Sequence, residues 1–219
     1  MTDTEFLLWV RGPAFEIATI IFTLGVVLRI LEIVFLGRKA NLAEARGSAT
    51  AGGIRTIITR SVPESGTFKR STFVIVAGYL FHIGLFVTIF LFAPHILTFE
   101  SVLGFSWPAL PTAIVDATAV VTVITLLVVL IHRMQDPVMR FLSGFQDYLV
   151  WLVTFLPLVT GYIAFHRVGP APQMLIAIHI LSVEALMVLF PFTKLMHAFT
   201  LFMSRWYNGA ISGYRGVAS

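Results

Sequence analysis

The stretch from Ile178 to Phe199 reads IHILSVEALMVLFPFTKLMHAF and carries two histidines, His179 and His197, eighteen positions apart. At about 100° per residue, eighteen steps complete about five turns, so an unbroken helix presents both imidazoles on one face. Their separation along the axis is about 27 Å, close to the thickness of the hydrocarbon core of a bilayer. The spacing favours two metal centres at two depths of a membrane. The alternative is two unrelated histidines, one in the protein core and one at the interface.

The composition of the whole chain indicates an integral membrane protein. Of its 219 residues, 58% are hydrophobic and 12% are charged, whereas soluble domains typically have about 25% charged residues. The apolar segments show no strand-length alternation, which favours helices over a β-barrel. The chain has no cysteine, which excludes thiolate-bound iron–sulfur clusters and disulfides within this subunit. One basic loop explains the net charge of +4, which therefore does not indicate nucleic-acid binding.

The sequence predicts an all-α integral membrane protein, organised as a single domain with five transmembrane helices. A basic loop, residues 37–70, follows the first span and holds seven Lys or Arg against two acidic residues. Eleven Lys or Arg residues flank the spans on the side of this loop, and two flank them on the other side. Because cytoplasmic loops carry the excess of Lys and Arg, we expect the N-terminus outside and the C-terminus in the cytoplasm. The predicted spans cover residues 14–36, 72–97, 113–131, 145–165 and 174–203.

Four of the six histidines form two pairs by depth. The second span runs outwards and the fifth runs inwards, so His82 and His197 belong to the inner half and His95 and His179 to the outer half. Two histidines from facing helices, at each of two levels, are typical of the bis-imidazole ligation of b-type haem. On an ideal helix His95 lies about 220° from His82, but the preceding Pro94 removes a helical hydrogen bond and reorients the chain.

Other polar residues in the spans have more than one interpretation. Arg29 and Glu32 are three positions apart and form a local ion pair, or else Arg29 neutralises an acidic group of a cofactor. Lys194 either extends to the membrane surface or meets a haem propionate. Glu184 is a protonated or paired group between helices, a proton relay, or a contact to quinone or haem. His132, at the inner end of the third span, is expected at the interface.

Three features resemble the gamma subunit of respiratory nitrate reductase. They are FHIG at Phe81–Gly84, the His179–His197 spacing, and LFPFTKLMH at Leu189–His197. The sequence is similar also to related membrane cytochromes of dissimilatory sulfite-reductase-associated and heterodisulfide-reductase-like complexes, which the tail RWYNG at Arg205–Gly209 resembles more. The five-helix plan extends the resemblance over essentially the whole chain, although the specific motifs lie in the second and fifth spans.

The resemblance assigns candidate haem ligands residue by residue. His82 and His197 match the family's inner-haem ligands, and His179 matches its outer-haem ligand from the fifth helix. The family's second histidine of helix two follows the first by ten residues. Phe92 occupies that position here, and His95 is the nearest candidate.

The resemblance implies a cytochrome with two b-type haems in the cytoplasmic (inner) membrane of a bacterium or archaeon. It implies that quinol is oxidised near the outer face and that electrons pass to a cytoplasmic iron–sulfur subunit of the same complex. No lysine lies between Arg70 and Lys194, so the family's quinol-site lysine has no counterpart. The outer polar groups that remain for a quinone are His95, Glu100, Asp116 and His166, the last also at a membrane boundary.

Two other functions are compatible with the sequence. A haem-free membrane anchor or assembly subunit predicts a colourless protein that still co-purifies with its partner. A small transporter needs a polar pathway open to water, and few acidic residues lie within the spans.

Overall fold

The computed structural model describes residues 1–36, 42–169 and 171–217, so Arg38 and Lys39 of the basic loop lie outside the described residues. The described residues form helices and turns without a strand. The helices are α1 (Asp3–Phe35), α2 (Ala49–Thr59), α3 (Ser65–Arg70), α4 (Thr72–Phe90), α5 (Ala93–Leu103), α6 (Thr112–Gln135), α7 (Pro137–Leu142), α8 (Phe145–Phe165), α9 (Pro172–Leu189) and α10 (His197–Tyr214).

Five helices are long and apolar enough to cross a membrane: α1, α4, α6, α8, and α9 with the turn that follows it. Their outward faces carry large apolar side chains, and Leu24, Ile83 and Ile124 are each more than half exposed. Contiguous apolar surface of this kind is unfavourable in water and favourable in lipid. The all-α membrane fold with five spans is therefore confirmed.

Helix α1 begins earlier than the predicted residue 14. Thr2 and Glu5 form a capping box in which the Thr2 hydroxyl accepts from the Glu5 amide and the Glu5 carboxylate accepts from the Thr2 amide. This box satisfies amides that a helix start leaves unpaired. Pro13 is accommodated in a π-helical turn over Val10–Ala14, so the helix continues through it.

The predicted second span, residues 72–97, is wrong at its outer end because α4 stops at Phe90. Phe92 is extended, and Pro94 lies in the first turn of the separate helix α5. A proline has no amide hydrogen to donate. In the first turn of a helix that amide would have no partner within the helix, whereas in the helix interior its absence breaks the run of backbone hydrogen bonds. Gly104, at a φ of 77°, then ends α5 in the left-handed conformation.

The predicted fifth span, residues 174–203, is also interrupted. Helix α9 ends at Leu189, and two 3₁₀ turns, Phe190–Phe192 and Lys194–Met196, follow with Thr193 extended between them. Pro191 provides the reason, since it cannot donate the next helical hydrogen bond. His197 begins a new helix, so the inference that His179 and His197 share one face of an unbroken helix is wrong.

The described chain divides into two compact units. The first contains Met1–Thr19 and Phe73–Met187, and the second contains Ile20–Thr72 and Val188–Ser219. The single-domain organisation stays a prediction.

In the first unit, close helix contacts depend on small residues. A Cβ on Gly84 of α4 would overlap the Thr122 side chain of α6, and Thr122 is fully buried. Helices α6 and α8 run antiparallel, and the Trp151 indole donates to the Leu126 carbonyl at 2.9 Å. This antiparallel arrangement brings the start of α6 to the end of α8.

In the second unit, the described part of the basic loop contains two helices, α2 and α3. Its helix α2 packs on α10, which begins in the predicted fifth span and continues through the motif at Arg205–Gly209. A Cβ on Gly213 would lie 2.8 Å from the Cα of Gly52, and Gly53 packs against Trp206. Glycines thus allow the backbones of α2 and α10 to approach each other closely.

Candidate functional site

The imidazoles of His95 and His179 meet in the first unit. Their ring centroids are 6.1 Å apart and their planes are inclined by 20°. His95 comes from the first turn of α5, and His179 from α9. The helix break at Phe92 sets the position of His95. On an unbroken second span, His95 would point away from the helix face that carries His82.

The end of α4 provides the group that orients His95. The last carbonyls of a helix have no partner within the helix, and the carbonyl of Thr88 accepts from Nδ1–H of His95 at 2.7 Å. A carbonyl only accepts, so Nδ1 carries the proton and Nε2 of the neutral ring carries a lone pair. Burial lowers the pKa of His95 below its ordinary value, which keeps the ring neutral at pH 7.

His179 is held by α8. Its Nδ1 lies 3.4 Å from Oγ1 of Thr160, which in turn lies 2.9 Å from Oγ of Ser182. The Ser182 hydroxyl donates to the His179 carbonyl at 2.6 Å. Gly161 leaves room for the ring, since a Cβ there would lie 2.9 Å from Cε1 of His179. Nothing in the sequence around Gly161 or Thr160 signals these contacts, because they join residues about twenty positions apart.

The spacing of this pair fits one metal ion between two imidazoles. Nitrogens about 2 Å on either side of one iron put the ring centroids about 6 Å apart, and the observed value is 6.1 Å. The described residues contain no group of three or more His, Cys, Asp or Glu suited to a metal ion. Two protein ligands are enough for haem, because the porphyrin occupies the other four positions.

His82 and His197 share the same kind of local anchoring. Nδ1–H of His82 donates to the Gly78 carbonyl at 2.7 Å, and Nδ1–H of His197 donates to the Lys194 carbonyl at 2.8 Å. Histidines that bind metals typically donate their second ring nitrogen to a carbonyl or carboxylate in this way. His82 belongs to the first unit and His197 to the second, and their joint ligation of an inner haem stays a prediction.

Arg29 makes the local ion pair that its spacing indicates. Its Nη1 lies 2.8 Å from the Glu32 carboxylate, and its Nε donates to the Pro191 carbonyl at 3.2 Å. The break after Leu189 thus gives Arg29 a second partner within its unit. Roles of Arg29 and Lys194 beside a cofactor stay predictions.

Two of the outer polar groups named from the sequence lie close together in the first unit. Asp116 and His166 form a pair, with Oδ1 of Asp116 2.6 Å from Nε2 of His166. His132, near the opposite end of α6 from Asp116, packs against Phe73, with ring centroids 4.5 Å apart and planes inclined by 56°. Asp116 and His166 are fifty positions apart, and no local pattern in the sequence signals that their side chains meet.

Glu184 is the buried acid of α9. The residue is 6% exposed, and its Oε1 has no hydrogen-bond partner among the described residues. Such a group is costly in an apolar span if it carries a charge.

No protein-family model matches this chain, and no solved structure matches it. A protein of Nitratidesulfovibrio vulgaris (strain Hildenborough) is 34% identical over 160 residues, which cover 72% of this chain and 70% of that protein. The name given to that protein, "Protein", describes no activity. The chain belongs to the same family as this Nitratidesulfovibrio vulgaris protein.

Proposed function

We propose that this chain is a membrane-anchoring b-type haem subunit of a respiratory oxidoreductase complex. It carries electrons between the quinone pool and a cytoplasmic iron–sulfur partner subunit, in the cytoplasmic membrane of a bacterium or archaeon. The observation that carries the proposal is the His95–His179 pair, with centroids 6.1 Å apart. The resemblance to the nitrate reductase gamma subunit supplies the class of complex.

The residues of the pair hold and orient the outer haem. Nδ1–H of His95 is fixed on the Thr88 carbonyl, which would leave Nε2 of this ring to bind the iron. The Thr160 hydroxyl donates to the Leu156 carbonyl, so its oxygen is placed to accept from Nδ1–H of His179. This contact would leave Nε2 of His179 to bind the iron. An iron held by two imidazoles exchanges one electron at a time and has no open position for a small ligand.

The inner haem is assigned to His82 and His197. Both histidines have Nδ1 on a backbone carbonyl, which supports a ligating role for each Nε2. The predicted topology puts this haem near the basic cytoplasmic side, where the iron–sulfur partner subunit binds. Two haems at two depths then give electrons a route across the membrane.

Haem content of the purified protein tests the proposal. We expect about two haems per polypeptide, with an α band in the reduced-minus-oxidised spectrum. His95→Ala and His179→Ala should each remove one haem, whereas the boundary histidine variant His132→Ala should keep both. His82→Ala and His197→Ala should each remove the other haem. A colourless protein that still co-purifies with a partner indicates a haem-free anchor and overturns the proposal, and so does full haem content in His179→Ala.

A further inference from the structure

Asp116 and His166 form a polar pair at one end of the first unit. Asp116 lies just after the start of α6, and His166 follows the last residue of α8. Oδ1 of Asp116 is 2.6 Å from Nε2 of His166, and the side chains are 31% and 35% exposed. The antiparallel course of the two helices explains why residues fifty positions apart meet here. The pair is thus fixed by the fold and reachable from outside the protein.

The hydrogen bond to Asp116 decides which nitrogen of His166 can act as a base. A carboxylate only accepts, so Nε2 carries the proton and the neutral ring keeps its lone pair on Nδ1. No hydrogen bond to Nδ1 is found within the described part of the chain. A carboxylate behind a histidine orients the ring and stabilises the imidazolium that forms when the ring takes a second proton.

Aromatic rings connect this pair to the proposed haem ligands. The His166 ring packs against Tyr162, at 4.4 Å between centroids, and against Phe165, at 5.2 Å. Phe165 meets Phe92 edge to face at 5.1 Å, and Phe92 meets His95 at 5.2 Å. Two phenyl rings therefore separate the His166 ring from the His95 ring, and His166 packs against an apolar, aromatic wall.

We infer that His166 is the proton acceptor for hydroquinone oxidation and that Asp116 is its positioning residue. The inference rests on the proposed function. A hydroquinone against this aromatic wall donates its O–H to Nδ1, and His166 becomes an imidazolium paired with Asp116. Oxidation to the quinone releases two protons and two electrons. His166 takes the protons in turn and passes each to the aqueous phase. A haem held by His95 and His179 would accept the electrons one at a time.

The kinetic test compares His166→Phe with His132→Phe in purified, haem-containing protein. Phenylalanine keeps the ring packing at either position, and among the described residues the His132 ring packs against Phe73. Reduction by a short-chain naphthohydroquinone should be about 100-fold slower in His166→Phe, with dithionite-reduced spectra and helical content unchanged. His132→Phe should match the wild type, and His166→Gln should repeat the loss if the phenylalanine variant folds poorly. A wild-type rate in folded His166→Phe or His166→Gln overturns the inference.

Asp116 has its own signature as a positioning residue. Asp116→Asn should lower the maximal rate of haem reduction and leave the half-saturating hydroquinone concentration nearly unchanged. Asp116→Glu should restore part of the maximal rate, because it restores the carboxylate. Equal maximal rates in the wild type and Asp116→Asn would remove Asp116 from the inference.

A binding measurement separates failure of this inference from failure of the proposed function. A naphthohydroquinone monomethyl ether keeps one O–H donor and cannot complete the oxidation, whereas the dimethyl ether has no donor. His166→Phe should bind the monomethyl ether about ten-fold more weakly than the wild type and bind the dimethyl ether equally well. This comparison also works on haem-free protein. If the wild type holds no haem, the proposed function fails, and the ether affinities alone decide whether His166 receives a hydroquinone O–H.

Discussion

Gly161 faces the imidazole of His179 so closely that a Cβ on Gly161 would lie 2.9 Å from Cε1 and 3.1 Å from Nδ1. The two residues lie on α8 and α9, which meet at this point without an intervening side chain. The position of the His179 ring therefore depends on the absence of a side chain at residue 161. This relationship gives a way to displace the proposed ligand without replacing it.

Gly161→Ala should reduce haem content by about half. The added methyl group overlaps the His179 ring, and overpacking of this kind costs about 1–3 kcal/mol unless the ring moves. The measurement is haem per polypeptide together with the spectrum of the remaining haem. Gly12→Ala is the matched control, because a Cβ there meets nothing within 4 Å. Unchanged haem content and spectrum in Gly161→Ala would contradict a ligand role for His179.

Glu184→Met should raise the thermal stability of the protein in detergent. The substitution removes a buried carboxyl whose Oε1 has no partner among the described residues and keeps a side chain of similar size. An unsatisfied buried polar group costs about 1–3 kcal/mol. Glu16→Met, at an exposed position, should change the unfolding midpoint little. A lower midpoint for Glu184→Met would mean that the carboxyl makes a stabilising interaction in the native protein.

Gly213→Ala should loosen α2 from α10. The new Cβ would lie 2.8 Å from the Cα of Gly52 and 3.2 Å from its amide nitrogen. Backbone atoms on both sides cannot rotate away, so the helices must separate, at a cost of about 1–3 kcal/mol. The measurement is the rate of tryptic cleavage after Arg55, which should rise. Gly66→Ala, whose Cβ has Arg70 Nη2 as its nearest neighbour at 3.6 Å, should leave that rate unchanged.

Single-cysteine labelling should place the N-terminus outside and the basic loop inside. The chain has no cysteine, so one introduced thiol gives an unambiguous signal. An impermeant maleimide should label Thr2→Cys in intact cells and label Ser65→Cys only after the membrane is opened, because the basic loop favours the cytoplasm. The reverse pattern would invert the topology and move the Asp116–His166 pair to the cytoplasmic side.

The helix ends show where reasoning from the sequence failed. Residues 72–97 and 174–203 are predominantly apolar, and a hydropathy average counts an apolar residue equally whether it lies in a helix or in a break. Pro94 and Pro191 were visible in the sequence, yet membrane helices often tolerate proline. Whether a proline kinks a helix or ends it depends on which groups satisfy the freed carbonyls. In this protein the missing amide of Pro94 leaves the Phe90 carbonyl without a helical donor, and the Trp107 indole donates to it. The Thr88 carbonyl, at the same helix end, accepts from His95.

The sequence by itself determined that the chain is helical and spans a membrane five times. Insertion into lipid depends on the summed transfer free energy of about twenty consecutive residues, which is a local property of the chain. Only the tertiary structure decided that His95 reaches His179 and that Asp116 reaches His166. Such pairs depend on where helices end and how closely they pack. Those features arise from contacts between distant residues, such as Gly161 with His179, and no local pattern encodes them.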